Sequence, residues 1–356
     1  MKKLTLAIIG QGRSGRDIHG AHLRSEQNEL FEVAYIVEAD EGRRARAKEE
    51  YPGCSVLADY RELFDIPVDL VVNASYSEMH YPITRDLLLH GKNVLVEKPF
   101  GRTRYECEEL MKIAEDKGVV LAVFQQSFLA PFYSFTYDLM KSGKLGDIVA
   151  IDIHYSGFSR RWDWQTLQKK CAGGAYNTGP HPIGLALGLL DFDPDTRVAY
   201  SKLISSPMTS GDADDYAKIL LVADGRPSVD IEISSLDAYK PYVIKLQGTK
   251  GSYTTDIASY KMTYIVEGEN PEMPVTDTFI AKEDGTPSYC VETLVKHTEE
   301  GSFDGDAFAF ASAVFYRQLY ERIAHGTPMT VTPEMAARVI SVIETVHAEN
   351  PLPVKF

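Results

Sequence analysis

Leu4-Thr5-Leu6-Ala7-Ile8-Ile9-Gly10-Gln11-Gly12-Arg13-Ser14-Gly15 is the stretch on which the fold turns. An apolar run ends in three glycines spaced G-x-G-x-x-G, and a helical pattern starts directly after them. In that setting the first glycine permits a tight turn and the second lets the backbone approach a pyrophosphate. The third allows close helix–strand contact, while the helix N-terminus offers N–H groups and a positive dipole end to the anion. Gly10, Gly12, Arg13, Ser14 and Gly15 are therefore candidate dinucleotide contacts. Glu38 closes the second apolar run, 23 residues past Gly15. A carboxylate there accepts hydrogen bonds from the adenosine ribose and repels a 2′-phosphate, so NAD is expected over NADP. Arg43 and Arg44 are expected on the following helix, facing solvent.

Outward from this stretch the first 125 residues alternate strand and helix. Strands are expected at Leu4–Ile9, Val33–Val37, Asp69–Asn73, Asn93–Val96 and Val119–Phe124, and helices at about 16–25, 41–50, 80–90 and 103–117. Such alternation means a doubly wound parallel sheet of the Rossmann kind, covered on both faces. After about residue 148 the texture changes. Val149–Tyr155, Val198–Ile204, Ala217–Val222, Ser228–Ile233 and Val243–Gln247 read as alternating strands, and Gly225-Arg226-Pro227 as a hairpin break. They imply an α+β domain with a large, mostly antiparallel open sheet. Two helices close the chain, one striped by Phe308, Ala311, Phe315, Leu319 and Ile323. The other starts at Thr332-Pro333 and is striped by Met335, Val339, Val342, Ile343 and Val346. The expected division is 1–125 for dinucleotide binding and 126–356 for substrate binding and oligomerisation, with the boundary in loop sequence near 125–148.

Composition narrows the function classes. The 356 residues are 44% hydrophobic and 25% charged, ordinary values for a globular protein with a real core. Lys and Arg number 37 against 51 Asp and Glu, a net charge of −14 with no basic block, which argues against nucleic acid. No apolar run approaches the ~18–20 residues of a membrane span. Lys2-Lys3 followed by an apolar run looks briefly like a leader peptide but lacks a small-residue cleavage site. Cys54, Cys107, Cys171 and Cys290 form no CxxC pair, so reduced thiols in a cytoplasmic protein are expected. The histidines form no ligand constellation, and no metal is expected.

Glu97-Lys98-Pro99 follows the fourth apolar strand, where an open α/β sheet binds its ligands. With the glycine motif it resembles the Glu-Lys-Pro signature of the glucose–fructose oxidoreductase / inositol dehydrogenase / rhizopine catabolism (Gfo/Idh/MocA) superfamily. Asn73 to His80, with Ser75 inside it, resembles that family's loop after the third strand. Gly143 to Ile148 resembles its entry into the second domain, and Gly248-Thr249-Lys250-Gly251-Ser252 and Gly326 to Val331 also fit, so the likeness spans essentially the whole chain. It implies an NAD(P)-dependent dehydrogenase or reductase acting on a CH–OH group of a sugar, sugar derivative or cyclitol. It also implies a homodimer or homotetramer through the open sheet, and Ser75, His80, Glu97 and Lys98 at the cofactor.

The second-domain motif departs from the family. Members typically carry Gly-Gly, then an Asp, a His four residues later and an Asp three beyond. Here Gly173-Gly174 is followed by Asn177, His181 and Gly184. Phe124-Gln125-Gln126-Ser127-Phe128 likewise replaces a segment that often bears arginine. By the resemblance His181 is the general base, Lys98 stabilises the reacting oxygen, and Asn177 can only orient the ring. Histidine's ordinary pKa near 6.5 suits that base role. Tyr155, Arg161, Trp162 and Tyr176, with Arg160 and Trp164, suit a polyhydroxylated ring; the same residues also suit a loop docked by its two tryptophans. Two other functions fit the motifs: a glycosidase or lyase with a closed NAD cycle, and a non-catalytic dinucleotide sensor.

Overall fold

The computed structural model describes residues 2–240 and 242–356. Strands β1 (Leu4–Ile9), β2 (Phe31–Val37), β3 (Ser55–Leu57), β4 (Leu70–Asn73), β5 (Val94–Val96) and β6 (Leu121–Val123) form a parallel sheet in the order β3-β2-β1-β4-β5-β6. Helices α1 (Gly20–Arg24), α2 (Glu41–Glu50), α3 (His80–Leu89) and α4 (Arg104–Lys117) connect its strands. Caps set their ends: Asp40 accepts from the Arg43 N–H, Thr103 accepts from the Glu106 N–H, and Gly118 closes α4 at φ 66°. The chain reverses direction across the sheet between β1 and β4, where Ile9 pairs with Asn73. A ligand crevice forms beyond the strand ends at that point.

The second sheet holds β7 (Ile148–Ser156), β8 (Arg197–Ile204), β9 (Tyr216–Val222), β10 (Ser228–Ser234), β11 (Ile244–Gly248), β12 (Gly251–Thr255), β13 (Ser259–Tyr264) and β16 (His297–Ser302). Its order is β16-β13-β12-β11-β7-β10-β9-β8; β7 and β10 pair parallel and the other neighbours antiparallel. A short ladder of β14 (Ile280–Ala281) and β15 (Pro287–Ser288) lies between β13 and β16 in sequence. The expected fold class holds, a Rossmann sheet followed by a largely antiparallel one.

The stretch expected as boundary loop contains a helix, α5 (Pro131–Ser142). Pro131 opens it, Gly143 ends it at φ 72°, and Phe132, Tyr133, Thr136 and Leu139 are buried. Two further helices, α6 (Gly174–Asn177) and α7 (Pro180–Leu189), follow the glycine pair. α7 is buried on nearly every side and packs on β7 and β10. The closing helices α8 (Ala307–His325) and α9 (Pro333–Glu349) return to the first domain. α9 lies against α4 and β6 as well as α7 and β8, and α8 touches α1 and α5. Val339, Ile343 and Val346 are fully buried there. Ile343→Ala would cost about 2–5 kcal/mol through lost burial and the cavity left behind.

Candidate active site

The glycine loop divides its work as expected. Gly10 has φ +90°, and a Cβ there would meet the Ala74 carbonyl oxygen at 2.5 Å. A Cβ on Gly15 would meet the Gly10 oxygen at 1.9 Å, whereas one on Gly12 would meet nothing within 4 Å. The open side of Gly12 is the approach a pyrophosphate needs, so the loop fits a dinucleotide. The following turn, Arg13–His19, is wide: the Gly20 N–H reaches back to the Gly15 oxygen, five residues away, before the chain tightens into α1. Glu38 is buried at the end of β2, where its carboxylate accepts from the Gln11 N–H (2.7 Å) and the Asp40 N–H (2.9 Å). Arg44 donates to the Glu38 and Ala39 carbonyls. Arg43 does not simply face solvent; its guanidinium turns back to 3.8 Å from Glu38, because the carboxylate attracts it.

One cleft of about 1260 Å³ runs from this loop to the second domain, beyond the ~300–1,000 Å³ common for a drug-sized ligand. Gly10, Gly12, Arg13, Ser14, Glu38 and Ser75 line its cofactor end, and Lys98, Arg161, Asn177 and His181 its other end. Lys98 stands at the end of β5, before a cis peptide bond to Pro99, and its ammonium donates to the Asn177 carbonyl oxygen at 2.6 Å. Burial lowers the Lys98 pKa; Glu97 opposes the shift, and Arg13 and Arg161 add to it. His181 heads α7 with Nδ1 3.3 Å from the Ser127 hydroxyl. Burial first, and then the Lys98 cation, push its pKa down to about 3, far from the expected value near 6.5. The imidazole is thus neutral throughout the working pH range.

Several expected roles change. The Asn177 amide oxygen accepts from Gln165 Nε2 at 2.8 Å, so this side chain is committed to Gln165 rather than to orienting His181; what Asn177 offers the site is its backbone carbonyl. His80 does not line the cleft. It is buried behind it, with Nδ1 2.7 Å from the Pro99 carbonyl oxygen and Nε2 3.2 Å from that of Ser75, and so braces the turn below Lys98. Glu97 reaches the cleft wall but is 3% exposed and accepts from the Lys98 N–H. Trp162 is 79% exposed and does not line the cleft, whereas Trp164 does, edge-on to Tyr76 at 5.0 Å. Tyr176 is turned away: its hydroxyl donates to the Arg102 carbonyl and its ring stacks on His347. Tyr155 stacks behind His181 at 6.4 Å and supports the ring instead of lining the cleft.

Sequence reasoning missed Tyr76, Asp163, Gln165 and Gln126 at the cleft wall. Gln126 follows β6 at the strand-end position that the sheet topology makes functional. Its Oε1 is buried without a partner among the described residues, an acceptor suited to a ligand hydroxyl. At 184 the missing carboxylate has a packing reason, since a Cβ there would meet the Phe128 ring at 3.1 Å. The loop bearing Arg161 and Trp164 is strapped to the first domain. Lys170 pairs with Glu78 and lies over the Tyr76 ring, and Arg102 donates to the Gln168 and Lys169 carbonyls.

Residues 4–125 match the oxidoreductase family with an NAD-binding Rossmann fold, and residues 135–254 match the GFO/IDH/MocA C-terminal domain. The chain belongs to the GFO/IDH/MocA oxidoreductase family. Among its relatives is a scyllo-inositol 2-dehydrogenase (NADP(+)) of Bacillus subtilis, IolW, 23% identical over 96% of this chain and 92% of the relative. A 2,7-anhydro-N-acetylneuraminate hydratase of Mediterraneibacter gnavus is 23% identical over 81% of this chain and 77% of its own length. GenD2 from gentamicin A biosynthesis, solved in complex with NAD, shares the fold with a TM-score of 0.75 at 21% identity, covering 98% of this chain and 94% of that one. This GFO/IDH/MocA chain is thus an NAD-binding oxidoreductase, and among its described residues no helix is long and apolar enough to cross a membrane.

Proposed function

We propose that the cleft interconverts a secondary alcohol and its ketone on a cyclitol, sugar or sugar derivative, with NAD(H) as hydride partner. The observation that carries this reading is that Lys98 and His181 line the same cleft from opposite domains, beyond the glycine loop and Glu38. The cofactor supplies hydride acceptance or donation when bound, held by the Gly10–Gly15 loop with its ribose at Glu38. Lys98 stabilises charge that develops on the reacting oxygen. His181 stands ready to accept a proton at Nε2, because Nδ1 faces Ser127. A neutral imidazole with a pKa near 3 is always in its accepting form but is a weak base. The cation of Lys98 must therefore acidify the alcohol enough for the transfer to occur. Trp164 and Tyr76 offer apolar faces, and Gln126, Arg161 and Gln165 polar atoms, for a ring with C–H patches and hydroxyls. We take the working unit to be a cytoplasmic homodimer or homotetramer, with the division at 125/126 separating cofactor and substrate domains.

The test is NADH absorbance with purified protein, NAD and a panel of inositols, sugars and sugar acids. Steady NADH formation with at least one compound, abolished by Lys98→Met, is expected. Consumption of a compound without net NADH would replace the reading by a closed hydratase or lyase cycle. NAD binding with no turnover of any compound would replace it by a sensor.

A further inference from the structure

Behind Lys98 lies a buried polar chain that the proposed reaction does not use. The Tyr316 hydroxyl of α8 is 2.8 Å from His19 Nδ1, and His19 Nε2 is 3.1 Å from Glu97 Oε1. Glu97 Oε2 accepts from the Lys98 N–H at 3.0 Å. His19 is 0% exposed, and Tyr316 and Glu97 are buried with it. Three separate elements contribute: the wide turn after the glycine loop, the end of β5, and a helix near the end of the chain. The donors and acceptors fall into one consistent order. An ionised Glu97 only accepts, so the ring N–H facing it is on Nε2; Nδ1 then accepts, and Tyr316 donates to it. Burial alone would raise the Glu97 pKa, but the His19 N–H facing it and the nearby Lys98 cation outweigh burial and hold it down at about 2. The Nε2 contact is at ion-pair distance but off the straight hydrogen-bond line, so its grip on the carboxylate is electrostatic.

We infer that His19 and Tyr316 are positioning residues for Lys98: they fix the Glu97 carboxylate, which holds the turn that aims the lysine into the cleft. The inference rests on the reading that Lys98 serves the reaction. An ionised carboxylate buried without its partners costs far more than a lost surface contact, so this order is strongly enforced. The rings also pack, His19 against Phe124 at 4.4 Å and Tyr316 against Phe31 at 5.6 Å, and a test must separate positioning from packing.

The experiment compares His19→Leu, His19→Gln and Tyr316→Phe, with Lys98→Met as reference. It measures kcat and KM on a verified substrate, NAD affinity by fluorescence titration without substrate, and thermal midpoint. His19→Leu is expected to lower kcat about 10- to 100-fold, the scale of a small misplacement of a reacting group. NAD affinity should stay within about threefold, because neither residue lines the cleft. His19→Gln restores an N–H facing Glu97 and should recover most of the loss. Tyr316→Phe removes one neutral hydrogen bond and should cost about two- to tenfold in kcat. Should His19→Leu fail to fold, the other two variants decide the matter. Wild-type kcat in folded variants, His19→Gln as slow as His19→Leu, or NAD affinity falling in parallel with kcat would each overturn the inference. Full activity in Lys98→Met would overturn the proposed function instead.

Discussion

The ammonium of Lys98, at the end of a first-domain strand, donates to the backbone carbonyl of Asn177 in the second domain across 2.6 Å. Lys98 is thereby a contact between the two domains, and a shift of either domain changes where its charge points. A bound alcohol oxygen competes for the same ammonium, which has two further N–H donors to offer.

Lys98→Met and His181→Ala are each expected to lower turnover about 10²–10⁴-fold. Their combination should fall short of the product of the two, because in the proposed reaction both serve one proton-transfer event. NAD affinity in His181→Ala should stay near wild type. The check is steady-state kinetics beside a binding titration; near-wild-type rates in both single variants would remove these residues from the chemistry.

Asn177→Ala offers a sharper contrast. The carbonyl that holds Lys98 is backbone and survives, while the hydrogen bond from Gln165 is lost. A loss of up to about tenfold in kcat is expected, the scale of one neutral hydrogen bond. A loss as deep as that of His181→Ala would show that the amide itself takes part.

Glu38 and Arg43 are expected to set a cofactor choice between them. With the carboxylate present, the ~2 negative charges of a 2′-phosphate meet a buried like charge. Glu38→Ser removes it and frees Arg43, now 3.8 Å away, to face the phosphate. Relative NADP affinity should rise in Glu38→Ser and fall back in the double variant Glu38→Ser/Arg43→Ala. Tighter NADP than NAD binding by the wild-type protein would reverse the assignment.

Asp214 carries a pH dependence of its own. It is buried under the Gly173-Gly174 turn and accepts from the Ala175 N–H at 2.7 Å, and burial raises its pKa to about 7. The folded state therefore binds a proton that the unfolded state, with an ordinary aspartate pKa near 3.9, has released. The stability from this group is full below about pH 4 and is lost as pH rises through about 7. Asp214→Asn cannot ionise, so the variant's thermal midpoint relative to wild type should increase from pH 5 to pH 8. Taking the difference cancels the opposite slope of His22 and His347, whose burial lowers their pKa values to about 4. A difference that does not change with pH would rule out titration of Asp214 in this range.

What was legible in the sequence was local. The glycine loop, Glu38, the Glu-Lys-Pro turn and the stripes of α8 and α9 each declare themselves within about one helix or strand. α7 did not, because a helix buried on nearly all sides has no polar face and so no stripe to find. β16, which reads His-Thr-Glu-Glu-Gly-Ser, is a polar edge strand with little hydrophobic signal. At the site, Trp162 and Trp164 have the same chemistry two residues apart, and loop geometry alone decides which enters the cleft. His80 and Glu97 are marked by motif alone, and the structure sets Glu97 at the cleft wall but His80 behind it, since a motif fixes identity and not the side from which a residue is approached. His19 was passed over because its partners lie 78 and 297 residues away in sequence.

The return of α8 and α9 to the first domain has a consequence for synthesis on the ribosome. Domains of a nascent chain generally fold in order, N-terminal first. Here the Rossmann strands emerge early, yet Tyr316, which meets His19, and α9, which packs on β6 and α4, follow about 190 and 210 residues after β6. Until then β6 and Phe124 wait without their covering, and the newborn first domain exposes an apolar surface that a holding chaperone would recognise.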